Sequence, residues 1–493
     1  MNRNTAKGEN KKNKYGQYFT PDFVADFMVS LADVHTEAKI LEPCCGEGVF
    51  LEALQNKGFQ NITAYEIDHN LATEYDFVKY ESFVSAKMER KHDLIIGNPP
   101  YIRWKNLEVE LKEELATNPL WVQHFNSLCD YLYIFILKSI ESLEENGQLI
   151  FICPEYWMNT THSIGLRNYM VEHGYFEKIY HFNETPIFNK ARVSVVIFKY
   201  VKSQKAKHTH IEVTKYYKNK PLNLAILAAI KNGVPQNSDI KHFFVKQFEL
   251  NKRWLLIPEV EVLELQKFEE ICVDSAAKKY PTIGDICEIG NGMVSGLDKA
   301  FRLQKGQIFN KIEKKHIIEV IKAAHLQPFA YTQTTKYIFV NELKKEGKLK
   351  EDFPNFYEKL QPYTEKLIQR YQYNRKIDYW QWVFLRNYKL FSSDQARIFV
   401  PGKERISNKD YFRFAYVERG IFPTQDVTAL FLKEDTKESI YYVLAFLNNR
   451  RVFNWLKNKG IVKGSIVEFS EKPIASIPFK RINWADTSEV KIH

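Results

Sequence analysis

Three short apolar runs in the first hundred residues break off in the same manner. ILEPCCGEG takes a strand-like segment, 38–42, into a turn of small residues. ITAYEID takes 62–66 onto an acidic end. DLIIGNPPY takes 93–97 into Asn98-Pro99-Pro100-Tyr101, and two prolines in a row end a strand and fix a tight loop. Helical spacing fills the intervals. Phe23, Val24, Phe27, Met28 and Leu31 lie on one face after Pro21, and further helices are predicted over 49–57 and 130–144. A Glu-Asn-Gly turn then leads into a strand at 148–153, with more strands near 178–183 and 192–200. Strands alternating with helices predict an α/β fold with a mainly parallel sheet covered on both faces. Ligands bind such sheets beyond the carboxyl ends of the strands, where all three breaks lie.

Past residue 200 the pattern changes. KSQKAKHTH reads as a polar surface connection and 222–231 as a short helix. Beyond 245 the chain is irregular, with glycine-rich EIGNGMVSGLDKAF, aromatic RYQYNRKIDYWQW and short strand-like runs in RIFVP and TALFL. Two domains are therefore expected: 1–245, with 1–14 a flexible Asn/Lys-rich arm, and a mixed, loop-rich 246–493. Charge divides the same way. Residues 1–200 hold 20 Lys and Arg against 27 Asp and Glu, net −7, and the remainder holds 50 against 33, net +17. A basic half suits a polyanion, with nucleic acid first, although a solvated lysine-rich surface has the same composition. No apolar run approaches the roughly 20 residues of a membrane span. The first residues lack the apolar core of a secretion signal. Six cysteines are scattered with no C-x-x-C, which disfavours zinc and disulfides and fits a reducing cytoplasm. Adjacent Cys44 and Cys45 read as packed thiols.

The first break sets Glu42 before Gly46 and Gly48 and then a helix. Glycines admit a ligand to the backbone, and the helix start favours an anionic group. A G-x-G turn serves sterics equally well. With neither G-x-G-x-x-G nor a P-loop lysine, NAD and ATP are not favoured. Glu66, 24 residues after Glu42, can accept from both hydroxyls of a ribose. At the third break Asn98 offers a carbonyl acceptor, and Pro99, lacking N–H, presents only its carbonyl. Two neighbouring acceptors can hold both hydrogens of an amino group, with Tyr101 against a planar ring. The set contains no strong base, nucleophilic thiol or metal cluster. It suits a reaction in which the amine is itself the nucleophile.

Together these motifs resemble the AdoMet-dependent adenine-N6 DNA methyltransferases of the gamma class, TaqI-like in arrangement. GQYFTPDFVADFMVSLA matches the family's first cofactor motif, LEPCCGEGVF its glycine motif, YEID its ribose-binding acid, NPPY its catalytic tetrapeptide and PIFNKARVSVVIF its target-base motif. The interval from Glu42 to Asn98 is too short for a DNA-recognition domain, so that domain must follow the catalytic one. GMVSGLDKAF, RIFVPGKER and GIFPTQDVTALFL are looser matches to it.

The resemblance implies a class I AdoMet methyltransferase, a Rossmann-like mixed sheet, with a C-terminal target-recognition domain. The implied cofactor is S-adenosyl-L-methionine, held by Thr20, Pro21, Glu42, Pro43, Cys44, Gly46, Gly48, Glu66, Ile67, Ser82, Phe83, Asn98 and Pro100. Asn98, Pro99 and Tyr101 would be catalytic, with the target base stacked between Tyr101 and Phe188. Where the family usually has an acidic residue for the cofactor adenine amine, this chain has Ser82, with Glu81 the alternative. Arg370, Arg375, Tyr379, Trp380, Trp382, Arg386 and Arg397 are of the types that contact phosphates and bases, and equally those of a domain core. The implied partners are double-stranded DNA and a separately encoded restriction endonuclease. No P-D…(D/E)-x-K nuclease motif stands out. A cytoplasmic monomer is expected. NPPY also occurs in methyltransferases acting on RNA or on protein glutamine. The long basic domain and Phe188 favour DNA, and an intact NPPY argues against a mere recognition subunit.

Overall fold

The structure is a computed structural model that describes residues 16–492 apart from 72, 74, 189–193, 206–207, 219, 233–238, 275–277, 305 and 408. The N-terminal arm and the middle of PIFNKARVSVVIF fall outside the described residues. Contacts divide the chain into two compact units, the first ending at Val262 and the second beginning at Leu263.

The first unit is built on a nine-stranded sheet. In chain order the strands are β1 (Ile40–Glu42), β2 (Ile62–Tyr65), β3 (Val78–Lys79), β4 (His92–Gly97), β5 (Leu143–Pro154), β6 (Gly174–His181), β7 (Val195–Lys202), β8 (His210–Tyr216) and β9 (Ile240–Lys246). Across the sheet the order is β3-β2-β1-β4-β5-β7-β6-β8-β9. The β3-to-β5 pairs are parallel, while β7 runs antiparallel between β5 and β6. Helices α1 (Asp22–Val29), α2 (Val49–Asn56), α3 (Val109–Thr117), α4 (Pro119–His124), α5 (Leu132–Ser142), α6 (Ile164–His173) and α7 (Leu224–Lys231) complete the regular helices. Strand alternation divides the core. Leu41, Ile95, Leu149 and Phe151 face one apolar cluster with α3–α6, and Ile40, Leu94, Ile96 and Ile150 face another with α1, α2 and α7. Both faces are covered, which explains the near-continuous apolar strands.

Three features differ from the sequence expectations. β5 begins at Leu143, because the Glu-Asn-Gly turn is absorbed as an irregularity opposite β4 with Asn146 at φ 65°. β8 and β9 extend the sheet through a stretch read only as polar connection and helix. The division after Val262 lies beyond the expected 245/246. Trp254 stacks on Phe248 at 4.2 Å and meets Trp157 and Phe176 edge-on, so this segment is packed into the first unit.

The second unit combines three small sheets. One has the order β10-β17-β13-β15, from β10 (Cys287–Asn291), β17 (Val427–Leu432), β13 (Arg397–Pro401) and β15 (Ala415–Val417). The second joins β12 (Thr335–Ile338), β11 (Ile317–Ile321) and β16 (Ile421–Pro423). The third joins β14 (Lys403–Arg405), β19 (Ile466–Glu468) and β18 (Ile461–Lys463). No helix among the described residues is long and apolar enough to cross a membrane.

Candidate active site

The carboxyl ends of β1, β2 and β4 open into a cavity of about 990 Å³. Thr20, Glu42, Pro43, Cys44, Gly46, Gly48, Glu66 and Ile67 line it, as do Ser82, Phe83, Asn98 and Pro100. Of the expected cofactor residues only Pro21 is outside the lining. It starts α1 instead, its carbonyl accepting from Val24 and Ala25 N–H at 2.9 and 3.1 Å.

The glycine turn is shaped by backbone geometry. Gly48 caps α2 at φ 87°, a region that side chains avoid, and a Cβ there would lie 3.1 Å from the Tyr75 ring. The Gly46 N–H donates to Glu66 Oε2 at 2.8 Å, and the Asp68 N–H donates to Oε1 at 2.8 Å. The second strand's acid is thus bonded to the first strand's turn. Burial raises its pKa, and these two hydrogen bonds oppose that rise.

Glu42 is different. Its carboxylate is 1% exposed, and neither oxygen meets a hydrogen-bond donor among the described residues. Burial, reinforced by the charge of Glu66, pushes its pKa well above the ordinary value. A buried unpaired carboxylate facing a cavity is suited to a cationic ligand group. Cys44 donates its thiol hydrogen to the Asn98 carbonyl at 3.3 Å, and burial raises the pKa of both Cys44 and Cys45. Neither is a reactive thiolate.

Ser82 and Phe83 contribute to the same lining. Ser82 lines the cavity while Glu81 is exposed outside it. Phe83 is buried against Tyr65 and Phe135. Beneath it lies Lys138, which sequence reasoning did not single out. Its ammonium donates to the Val84 and Ala86 carbonyls at 2.7 and 2.6 Å and lies 5.1 Å from the Phe83 ring centroid. Burial lowers its pKa to about 8. A lone lysine inside the apolar run LYIFILKSI was the available signal.

At the end of β4, Asn98 is fixed in orientation. Its Nδ2 donates to the Tyr18 carbonyl at 2.6 Å and to Thr20 Oγ1 at 3.0 Å, which fixes Oδ1 as the acceptor. The Tyr101 hydroxyl reaches that Oδ1 and the Ile152 carbonyl at 2.9 Å. Gly16 allows the preceding segment to lie this close. A Cβ there would fall 2.3 Å from Ile102 Cγ1.

Tyr101 and Phe188 are brought together as expected, with centroids 6.3 Å apart and planes at 56°. They form no open slot. A base sandwiched between two rings needs about 7 Å, twice the 3.4 Å stacking rise. Tyr18, which sequence reasoning passed over within GQYF, stacks on Tyr101 at 5.3 Å and lies 5.7 Å from Phe188.

Five of the side chains expected on DNA are committed to the second unit's own framework, which corrects that expectation. Trp380 and Trp382 are buried, and their indole N–H groups donate to the Leu343 and Ile338 carbonyls at 3.0 and 2.9 Å. Arg397 is fully buried and donates to the Phe391, Ser393 and Gln395 carbonyls. Arg370 donates to the Ser295, Asp378 and Gln381 carbonyls, and burial lowers its pKa to about 10. Tyr379 is likewise buried and donates to Glu346. Buried guanidinium and indole donors persist only when paired, and here backbone carbonyls are the partners. Arg375 is exposed and Arg386 half-buried.

A sheet ordered 3-2-1-4-5-7-6, with an antiparallel seventh strand and its cavity over the first, second and fourth strand ends, is the class I methyltransferase fold. The model of the Eco57I restriction-modification methylases matches residues 9–188. The type II methyltransferase M.HindII of Haemophilus influenzae is 44% identical over 494 residues, covering 98% of this chain and 93% of the relative. M.HincII of the same species is 42% identical over 485 residues, again covering 98% and 93%. This chain belongs to the type II methyltransferases of restriction-modification systems. Among solved structures, the DNA-bound type IIL restriction-modification enzyme MmeI superimposes with a TM-score of 0.56 at 11% identity. The match covers 94% of this chain and 64% of that enzyme, and it shows a shared fold.

Proposed function

We propose that this protein transfers the methyl group of S-adenosyl-L-methionine to N6 of an adenine flipped out of duplex DNA, at a specific sequence. The modification would protect that sequence from a separately encoded endonuclease. The observation that carries this reading is the end of β4. Asn98 is fixed by the two bonds of its Nδ2, its Oδ1 accepts from the Tyr101 hydroxyl and keeps a second lone pair, and the neighbouring Pro99 carbonyl meets no donor among the described residues.

The cavity's donors and acceptors fit the cofactor. Glu42 would take the α-ammonium of its methionine end, near Thr20, and Glu66 keeps lone pairs for the ribose hydroxyls. Phe83 would cover the adenine face and Ser82 would meet its amine. When bound, the cofactor supplies a methyl carbon made electrophilic by a sulfonium.

The target base must first leave the helix, at a cost of a few kcal/mol. Stacking on Tyr101 and Phe188, once the two rings have moved apart from their 6.3 Å separation, would offset this at roughly 1–3 kcal/mol per ring. Asn98 Oδ1 and the Pro99 carbonyl then accept both N6 hydrogens. The nitrogen lone pair would be drawn out of conjugation and would bond the methyl carbon as that carbon's bond to the sulfonium sulfur breaks, leaving a neutral thioether, while N6 gives up one of its two protons to solvent. Positioning and electrostatics do the catalytic work, and no group with a tuned pKa is required. The first unit would house this chemistry and the basic second unit would recognise the target.

Incubation with methyl-labelled S-adenosyl-L-methionine and a mixture of plasmid DNA, RNA and protein tests the proposal. Label is expected in DNA as N6-methyladenine. Label in cytosine, RNA or protein would refute it. Long-read mapping of modified adenine in expressing cells would give the target sequence.

A further inference from the structure

Internal packing does not account for one turn of the second unit. The Arg375 N–H donates to the Gln372 carbonyl at 3.1 Å, closing a turn whose inner residues, Tyr373 at φ 53° and Asn374 at φ 57°, are both left-handed. Glycine and asparagine favour such turns, and a bulky aromatic at the first position is disfavoured. Burial does not offset the strain, since Tyr373 is 36% and Tyr371 69% exposed, their rings 4.6 Å apart. The turn is nonetheless braced. Gln372 Nε2 donates to the Ile368 carbonyl at 3.0 Å, and its Oε1 accepts from the Ile377 N–H at 3.2 Å. Beside it Phe384 acts as a plate, with Tyr373 5.3 Å away. The guanidinium groups of Arg375 and Arg386 lie 4.6 and 5.1 Å from the Phe384 ring centroid. Unlike Arg370 and Arg397, neither donates to a backbone carbonyl, and neither pairs with a carboxylate among the described residues.

Strain at an exposed aromatic, a braced backbone and two uncompensated cations describe a surface held ready for an anion that also has flat faces. We propose that the 371–375 turn, with Arg375 and Arg386, is a DNA-contacting element. The two guanidinium groups take backbone phosphates, and the Tyr371 and Tyr373 rings pack against the adjoining sugar or base. Charge complementarity selects nucleic acid as the occupant, because residues 263–493 carry 39 Lys and Arg against 28 Asp and Glu, net +11, and the proposed function makes that nucleic acid duplex DNA. This rests on the reading of the chain as a DNA methyltransferase.

The test is fluorescence anisotropy of a labelled duplex of plasmid sequence, titrated with the full-length protein over a series of salt concentrations. Each phosphate contact contributes about 0.9 to the slope of log K against log salt, so the double variant R375A/R386A should lose about 1.8 of slope. Tyr373→Gly relieves the left-handed strain. Its melting temperature should equal or exceed that of the wild type while duplex affinity falls about tenfold, the scale of one aromatic stack. Unchanged slope and affinity in folded variants would overturn the surface assignment and leave the functional reading intact. A lower melting temperature of Y373G with unchanged binding would make the turn structural, with the same consequence. Failure of the wild-type protein to bind duplex at all would overturn both.

Discussion

Replacing Glu42 by glutamine should stabilise the protein while weakening its hold on cofactor. Glutamine has the same shape and cannot ionise, so the substitution isolates the charge. In the folded state burial and Glu66 both oppose ionisation of Glu42, and nothing among the described residues donates to it. Because its folded pKa is raised above the ordinary 4.5, the penalty is absent below pH 4.5, where folded and unfolded chains both bind the proton. It grows as pH rises toward the elevated folded value. The group can always take up a proton, at about 1.4 kcal/mol per pH unit above 4.5, so the penalty at pH 7 is capped near ~3 kcal/mol. At pH 5 the cap is below about 1 kcal/mol. For a unit of this size the pH 7 figure corresponds to a rise in melting temperature of up to about 6–12 °C. Scanning fluorimetry of wild type and E42Q at pH 7 and pH 5, with and without S-adenosyl-L-methionine, reads every term. E42Q should melt higher at pH 7, nearly equal at pH 5, and respond weakly to a cofactor concentration that stabilises wild type. A lower melting temperature for E42Q at pH 7, or a difference independent of pH, would refute the reasoning.

Other substitutions separate chemistry from framework. Asn98→Ala should abolish methyl transfer while calorimetric S-adenosyl-L-methionine binding survives; loss of both would assign Asn98 to the fold. Lys138→Met removes the cation that holds the Val84 and Ala86 carbonyls beneath Phe83. Cofactor affinity should fall about tenfold, the worth of one charged hydrogen bond, and an unchanged dissociation constant would sink that role. Tyr18→Ala deletes the ring packed against both Tyr101 and Phe188 but keeps the carbonyl that accepts from Asn98. A duplex with 2-aminopurine at the target should fluoresce more when bound to Y18A than to wild type, whereas a weaker signal would mean the ring assists flipping. Arg397→Ala strips a buried guanidinium from four backbone carbonyls and should destabilise the second unit by about 3 kcal/mol. A calorimetric trace like that of wild type would contradict this.

The sequence by itself determined the first unit's order of elements and the location of its site. Short apolar runs that break off at glycine, proline or an acid are strands of a sheet covered on both faces, and the residues at or just past the ends of β1, β2 and β4, Glu42, Glu66 and Asn98, are polar. That is local information, so Glu42, Glu66 and Asn98 were legible from neighbours a few positions away. β8 and β9 were not, because HIEVTKY and IKHFFVK interleave polar and charged residues, and such strands are recognised by what they pair with. Nor was the state of each side chain. Trp382 and Arg397 have the composition of DNA contacts, yet tertiary packing buries them against backbone carbonyls. Arg375 and Arg386, alike in sequence, have no counter-charge among the described residues. Tyr18 reaches the Tyr101 and Phe188 rings across more than eighty residues, and Lys138 reaches under Phe83 from a helix more than fifty residues away. Such pairings depend on distances that only the folded chain sets. The motif specified which chemistry was possible, and tertiary contact decided which groups were free to perform it.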